Sequence, residues 1–410
     1  MKSTKRSFAT AALALLLMLG IGGLRVHADV FVQCPSDTDG LDSDGDGDPN
    51  NDIICVHLTS GDGFAKNADG SDIYIFGFKD VTGINDNSAM TAGYLGAQSP
   101  APPLILREGQ KLYLNLTNVG MAIRPDLFDP HTVHFHGFPN AASVLDGEPM
   151  ASISISMGNS LTYFYQLVEP GTFMYHCHVE ASEHMQMGML GTLYVQPRQN
   201  MLPDGTDLNG FTHHTGYKYV YNDMDGSTKY DVEFPMLITS FDPNFHWADE
   251  NVQPLNFAHM RDTYPMLNGR GYPDNQVLGA INNLNGDPAQ PVHARVTAQV
   301  GQKILLRIIS LATTVYYSVG VSGIPMKVVG RGAHILRGPD PDGSGPLLGK
   351  NLYYDTNTVT IGGGETVDVL LDTAGVAPGT YCFYSTNLNE LSNNHEDFGG
   401  MMTEIVLTAP

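Results

Sequence analysis

This chain repeats itself, and the repeat limits how it can fold. Residues 104–119 read Leu-Ile-Leu-Arg-Glu-Gly-Gln-Lys-Leu-Tyr-Leu-Asn-Leu-Thr-Asn-Val. Residues 296–311 read Val-Thr-Ala-Gln-Val-Gly-Gln-Lys-Ile-Leu-Leu-Arg-Ile-Ile-Ser-Leu. Both are alternating runs broken at Gly-Gln-Lys, the pattern of two strands joined by a tight turn. Further along, Pro170-Gly171-Thr172 leads into His176-Cys177-His178, and Pro378-Gly379-Thr380 leads into Tyr384-Ser385-Thr386. The runs beginning at Gly188-Met189 and Gly400-Met401 then align as well. The expected fold class is all-β, with two tandem Greek-key β-sandwiches at 70–197 and 232–410. The connection, 198–231, is rich in Gly, Asp, Asn and Thr and reads as a linker. With 410 residues, 45 glycines and 25 prolines, each copy is long enough to bury its own core.

The chemistry-bearing residues sit in the first copy. His131-Thr-Val-His134-Phe-His136-Gly137 is followed by His176-Cys177-His178, then His184 and Met189. His131, Cys177, His184 and Met189 supply two imidazoles, a thiolate and a thioether, the ligand set of a blue (type 1) copper site with a weak axial Met. Side chains alternate along a strand, so if Cys177 faces one metal, His176 and His178 face the other way. With His134 and His136 they make a second, all-imidazole copper site, joined to the first through the Cys177 backbone. The bland alternative is a core filled by histidines and a buried cysteine. Eight ligand-type residues within about sixty positions is not how cores are filled.

These motifs resemble the multicopper oxidases, laccase-like cupredoxin proteins. That family's last domain carries H-P-x-H-x-H-G and H-C-H-x3-H-x4-[ML]. Here Thr132 replaces the proline, and two extra residues separate His178 from His184. The resemblance implies two cupredoxin-like domains. It also implies an oxidoreductase in which Cys177, His134, His136, His176 and His178 carry electrons from a donor to oxygen. The second copy, with Tyr384, Ser385 and Thr386 at the ligand positions and Gly320-Val-Ser322-Gly323 opposite, resembles the copper-free middle domain of three-domain laccases.

The family's oxygen-reducing cluster uses four H-x-H pairs, and this chain has two. Three completions stay open: two first domains facing each other in a homo-oligomer, a different subunit, or a site with fewer coppers. His213-His214 in the linker reads as a solvated pair, and His395 stands where a lost ligand loop of the second copy would be. A non-enzymatic blue copper carrier or copper-handling protein is the alternative function. A nitrite reductase is disfavoured. That family has a histidine where Thr386 stands and an Asp where His134 stands, and it would leave His178 unused. The donor could be a small molecule, a metal ion or a redox protein. Met185 and Met187, with Met150 and Met157, could dock Cu(I) but read first as packing.

Residues 1–28 read as a secretory signal: Lys2, Lys5 and Arg6, an apolar run from Ala11 to Leu24, and Val26-His27-Ala28 for cleavage. The run is short for a membrane span, though an uncleaved anchor is the alternative. A periplasmic or extracellular location follows, where disulfides persist. Residues 29–69 lead into the first domain. There Cys34 and Cys55 are expected to pair, closing a loop of about 22 residues worth roughly 3 kcal/mol in the chain-entropy account. Inside it Asp42, Asp44, Asp46 and Gly47 match the opening of a calcium loop, but Ile53 stands where the bidentate Glu belongs. The bland reading is a solvated acidic loop. Cys382 is expected to be a buried small hydrophobe. The net charge of −22 argues against nucleic acid and anionic membrane as partners.

Overall fold

The computed structural model describes residues 33–139, 141–338 and 349–410. The proposed signal at 1–28 lies outside the described residues. The first domain packs two four-stranded sheets. One has the order β2 (Asp72–Asp80), β1 (Ile53–Lys66), β4 (Lys111–Gly120), β6 (Ser160–Gln166). The other has the order β3 (Ala101–Arg107), β8 (Leu190–Gln196), β7 (Gly171–His176), β5 (His134–His136). Their inner faces bury Phe76, Leu114, Phe135, Tyr163 and Leu193, so alternate residues of each strand form one apolar core.

β1 lies in the stretch that composition assigned to a lead-in, and the first sandwich therefore starts near Ile53 rather than 70. It runs parallel to β4, with Ile53 opposite Lys111, and antiparallel to β2. Its alternation is masked because it buries polar groups. His57, Thr59, Ser60 and Asp62 are all buried. Asp62 is satisfied by the Tyr74 hydroxyl at 2.9 Å and by the N–H groups of Ala122 and Ile123 at 2.8 Å each.

The second domain repeats the plan. Val232–Phe241 runs parallel to Lys303–Ser310 as β1 does to β4, and Val296–Gln299 runs parallel to Met402–Thr408 as β3 does to β8. The repeated Gly-Gln-Lys turn is the same at atomic level. Gln110 Oε1 accepts the Arg107 N–H at 2.9 Å, and Gln302 Oε1 accepts the Gln299 N–H at 2.7 Å. Gly109 and Gly301 both take φ near +100° (103° and 94°), which a side chain would strain. Cys382, on Gly379–Ser385, is half-buried rather than buried.

Residues 198–231 are an ordered connector. They carry two short hairpins, and Val220, Tyr221 and Tyr230 pack on Leu305, Val329 and Leu370 of the second domain. His213 is fully buried with Nδ1 2.9 Å from the Tyr219 hydroxyl, so only His214 of this pair faces solvent. The domains meet along β7 and β8, where Met174, Leu190 and Tyr194 pack on Leu237, Ile309 and Leu311. At that seam the buried Arg307 donates to Thr172 Oγ1 at 2.7 Å and pairs with Glu233 and Asp368. The strand that ends in His176 is thus held against the second domain.

The Cys34–Cys55 disulfide forms, with Cα atoms 5.7 Å apart, and ties the acidic loop to the start of β1. Asp42, Asp44 and Asp46 do converge within 4.8 Å. A cation already sits among them: Arg107 reaches Asp44 Oδ2 and Asp46 Oδ2, each at 2.8 Å. Asp42 instead accepts the N–H groups of Gly45 and Gly47. Arg107 thus offsets part of the charge on Asp44 and Asp46, and the loop as a whole stays acidic.

Candidate metal centre

β7 ends at His176, and Cys177 follows directly. His131 is held across from it by a bridge to Ile155, accepting and donating backbone hydrogen bonds of 2.9 and 3.0 Å. His184 lies on the short helix Ala181–Gln186, and Met189 precedes β8. Two backbone bonds close this loop: Met189 N–H to His184 O at 2.8 Å and Cys177 N–H to Met189 O at 3.1 Å. His131, Cys177, His184 and Met189 are all 0 % exposed.

Cys177 Sγ lies 3.2 Å from His184 Nδ1 and 3.8 Å from His131 Nδ1. Burial holds the His184 imidazole down to about 4, holds His131 well below its ordinary value, and pushes the Cys177 thiol up to about 11. The rings are therefore neutral, and no positive side chain favours the thiolate. A thiol between two ring nitrogens has one proton for several acceptors. A metal ion would satisfy all three donors and supply the charge the thiolate lacks, so the residues fit copper.

The second group lies on the opposite side of Cys177. β5 pairs with β7 so that His134 faces His176 across the ladder. Ring centroids lie 5.3 Å apart for His134 and His176, 5.6 Å for His136 and His176, and 4.8 Å for His134 and His178. His134 Nδ1 donates to Asp146 O at 2.7 Å and His176 Nδ1 donates to Cys177 O at 2.9 Å. Those bonds fix the tautomer and leave each Nε2 lone pair facing the cluster. Burial holds His136 below its ordinary value and His176 down to about 3. His136 Nδ1 lies 3.4 Å from His176 Nε2, so a ring proton or a cation fits between them, and one donor atom each from His134, His136 and His176 lies within 4.8 Å of the others. His178 stacks on His176 at 5.5 Å but falls outside that three-atom group. Its N–H is accepted by Thr132 Oγ1 at 3.1 Å, a bond that proline at this position could not make.

A cavity of about 170 Å³ opens on these rings. It is lined by His136, His176, His178, Ala181 and Met185 on one side and by Leu311, Ala312, Gly363 and Gly364 of the second domain on the other. No second-domain histidine enters it. His395 is exposed and belongs to none of the metal-binding groups among the described residues. Of the other methionines, Met187 is core, Met185 lines this cavity, Met157 is 46 % exposed and lies over Gly120, and Met150 is 91 % exposed.

Residue patterns gave no sign of two neighbours. His246, on the second-domain helix Pro243–Glu250, is fully buried. Its ring contacts Tyr74 O at 2.6 Å and Gln186 O at 2.9 Å, which pins the ligand helix. Acidic groups also crowd the outer edge of His184: Asp129 Oδ2 lies 3.9 Å from Nε2, and Glu180 and Glu183 each bring a carboxylate oxygen within 4.8 Å. Burial pushes Glu183 up to about 8, and Asp249 beside it up to about 6. The extra length between His178 and His184 was the one signal for these glutamates.

Comparison with known proteins places this arrangement. Family models described as multicopper oxidase match residues 81–200 and 247–406. The chain belongs to the multicopper oxidase family. Membership in it implies copper as the cofactor. Among curated relatives, multicopper oxidase MmcO of Mycobacterium tuberculosis is 24 % identical over 285 residues, which is 65 % of this chain and 48 % of that protein. The match thus spans about half of that relative's length. Among solved structures, the blue copper oxidase of Nitrosomonas europaea superposes with a TM-score of 0.61 at 22 % identity, covering 87 % of this chain and 86 % of that one. The copper nitrite reductase of Nitrosomonas europaea gives 0.55 at 16 % identity, covering 87 % and 94 %. Both likenesses show the two-domain cupredoxin fold, which therefore does not by itself separate oxidase from nitrite reductase. Among the described residues no helix is long and apolar enough to cross a membrane.

Proposed function

We propose that this chain is an exported copper oxidoreductase that takes electrons from a donor at a type 1 site and delivers them to oxygen at the histidine site. His131, Cys177, His184 and Met189 would hold the type 1 copper, and His134, His136, His176 and His178 the second site. Copper supplies one-electron redox chemistry at both places. Cys177 carries the reading: its sulfur belongs to the first group, while its neighbours His176 and His178 belong to the second. The hydrogen bond from His176 Nδ1 to Cys177 O at 2.9 Å adds a second route beside the covalent backbone. Full burial of Cys177 keeps water from the thiolate and lowers the reorganisation that electron transfer requires. Leu311 and Ala312 give the cavity an apolar wall suited to a small neutral acceptor such as oxygen. The Cys34–Cys55 disulfide fits an oxidising compartment outside the cytoplasm. Because one chain brings only half of the usual histidines, a symmetric homo-oligomer is the proposed working form.

The decisive experiment substitutes His134→Ala and His136→Ala together. The copper-loaded variant should keep the visible thiolate-to-copper band and lose oxygen consumption with a good donor. Oxygen uptake equal to wild type would place reduction elsewhere. A wild type that never consumes oxygen would leave the blue copper carrier as the function.

A further inference from the structure

Between His184 and Met189 the chain runs Met185-Gln186-Met187-Gly188, and Gln186 is buried. Its side-chain amide donates to Asp262 Oδ1 at 2.9 Å, and its side-chain oxygen accepts the Thr313 hydroxyl at 3.1 Å. Its backbone carbonyl lies 2.9 Å from His246 Nε2. All three partners belong to the second domain. Asp262 is itself held, its other oxygen accepting the Ser240 and Thr314 hydroxyls at 2.6 Å each. The loop between two candidate type 1 ligands is thus fastened to a domain that supplies none.

These bonds are not what keeps the domains together. The apolar seam of Met174, Leu190 and Tyr194 on Leu237, Ile309 and Leu311 already does that. Apolar contact is non-directional. Hydrogen bonds depend on both distance and angle, so three of them on one buried residue fix where the loop sits and how it turns. On the first-domain side the next residue is held as well, because the Phe76 N–H donates to Met187 O at 2.9 Å. The ligand loop is therefore gripped by one domain at Gln186 and by the other at Met187.

We propose that Gln186 is a positioning residue for the type 1 site, and that through it the second domain, which brings no ligand, sets the reduction potential of the copper. The proposal rests on the type 1 reading above. A trigonal site with a weak axial Met keeps oxidised copper from the tetragonal arrangement it favours, and its potential depends on the axial ligand. A loop fixed at Gln186 keeps His184 and Met189 where the two domains together place them. Once freed, it lets both ligands shift toward the arrangement that Cu(II) favours. That shift stabilises the oxidised state and lowers the potential.

The test uses copper-loaded full-length protein, with copper content measured in each variant and the visible band followed through a mediated redox titration. Gln186→Leu removes both side-chain bonds, and Thr313→Val removes one while leaving the ligand loop's own sequence untouched. In Gln186→Leu the equilibrium constant for reduction should fall about tenfold, which is about 59 mV for one electron. A second thiolate-to-copper band should grow at shorter wavelength. Thr313→Val should shift both readouts in the same direction by less. Gln186→Glu sets two carboxylates against each other and should also shift them. Adding Asp262→Asn to it lets the new amide donate to the new carboxylate, while its oxygen still accepts from Ser240 and Thr314. That double variant should return to the wild-type potential and spectrum. A role limited to joining the domains would lower the melting temperature of Gln186→Leu and leave its potential and spectrum unchanged, and that result overturns the proposal. A double variant that stays shifted like Gln186→Glu overturns it too. A wild type that shows no visible band at all refutes the type 1 reading instead.

Discussion

At the scale of single residues, the metal centre is a problem of unpaired charge and unpaired donors. Three buried imidazoles, His131, His176 and His184, and a thiol are expensive to bury for their packing alone, and His131 Nε2 and His184 Nε2 have no hydrogen-bond partner. That cost makes the metal-free protein sensitive to acid, and the sign follows from burial. His184 and His176 ionise near 4 and 3 in the folded chain against an ordinary 6.5. The unfolded chain therefore binds more protons across that window. The stability that neutral rings confer is complete above about pH 6.5 and is lost as pH falls toward 4, by roughly 3 kcal/mol for His184 alone. Thermal melts of metal-free protein should show a midpoint several degrees lower at pH 5 than at pH 7. An unchanged midpoint would mean that these rings are not buried in the neutral form. The ligand types were plain in the residue order, because Cys177 with its two flanking histidines leaves few other readings. The acid group at Asp129 and Asp249 was not, since carboxylates far apart in sequence meet only after the domains fold.

At the scale of elements, two second-domain segments shape a site whose ligands all come from the first domain. His246 joins the helix Pro243–Glu250 to β2 and to the ligand helix through Tyr74 O and Gln186 O. Gly363 and Gly364 form part of the cavity wall beside His136. Gly364 has φ +85°, and a Cβ there would stand 3.0 Å from His136 Cε1. Gly364→Ala is both strained and crowded, and the ring has to move. The expected outcome is a blue protein whose oxygen consumption falls about tenfold or more, because only the histidine site is disturbed. Unchanged turnover would show that the second domain does not shape that site. The strands themselves were legible from alternation wherever one face is buried. β1 was not, because Asp62 and its buried polar neighbours interrupt the pattern. The connector's order was hidden as well, since its aromatic residues are scattered among turn-formers and find their partners only on the second domain.

At the scale of the whole molecule, the duplication explains both what is present and what is missing. Two copies of one sandwich preserve the turn at Gln110 and Gln302 to the same hydrogen bond. Only the first copy keeps ligands, and the second has become a wall, a clamp and a seam. The internal repeat makes this two-domain plan readable in the sequence. It could not show that Leu311, Ala312, Gly363 and Gly364 would face the histidines, because that depends on how β7 and β8 dock on Leu237, Ile309 and Leu311. In the proposed function, one chain holds two separate copper sites linked through Cys177. Copper counting on purified, reconstituted protein tests it most directly, with wild type and the His134→Ala/His136→Ala variant measured side by side. The expected result is at least two coppers per wild-type chain and one per variant chain, with the blue band equal in both. A single copper per wild-type chain, unchanged in the variant, would contradict it.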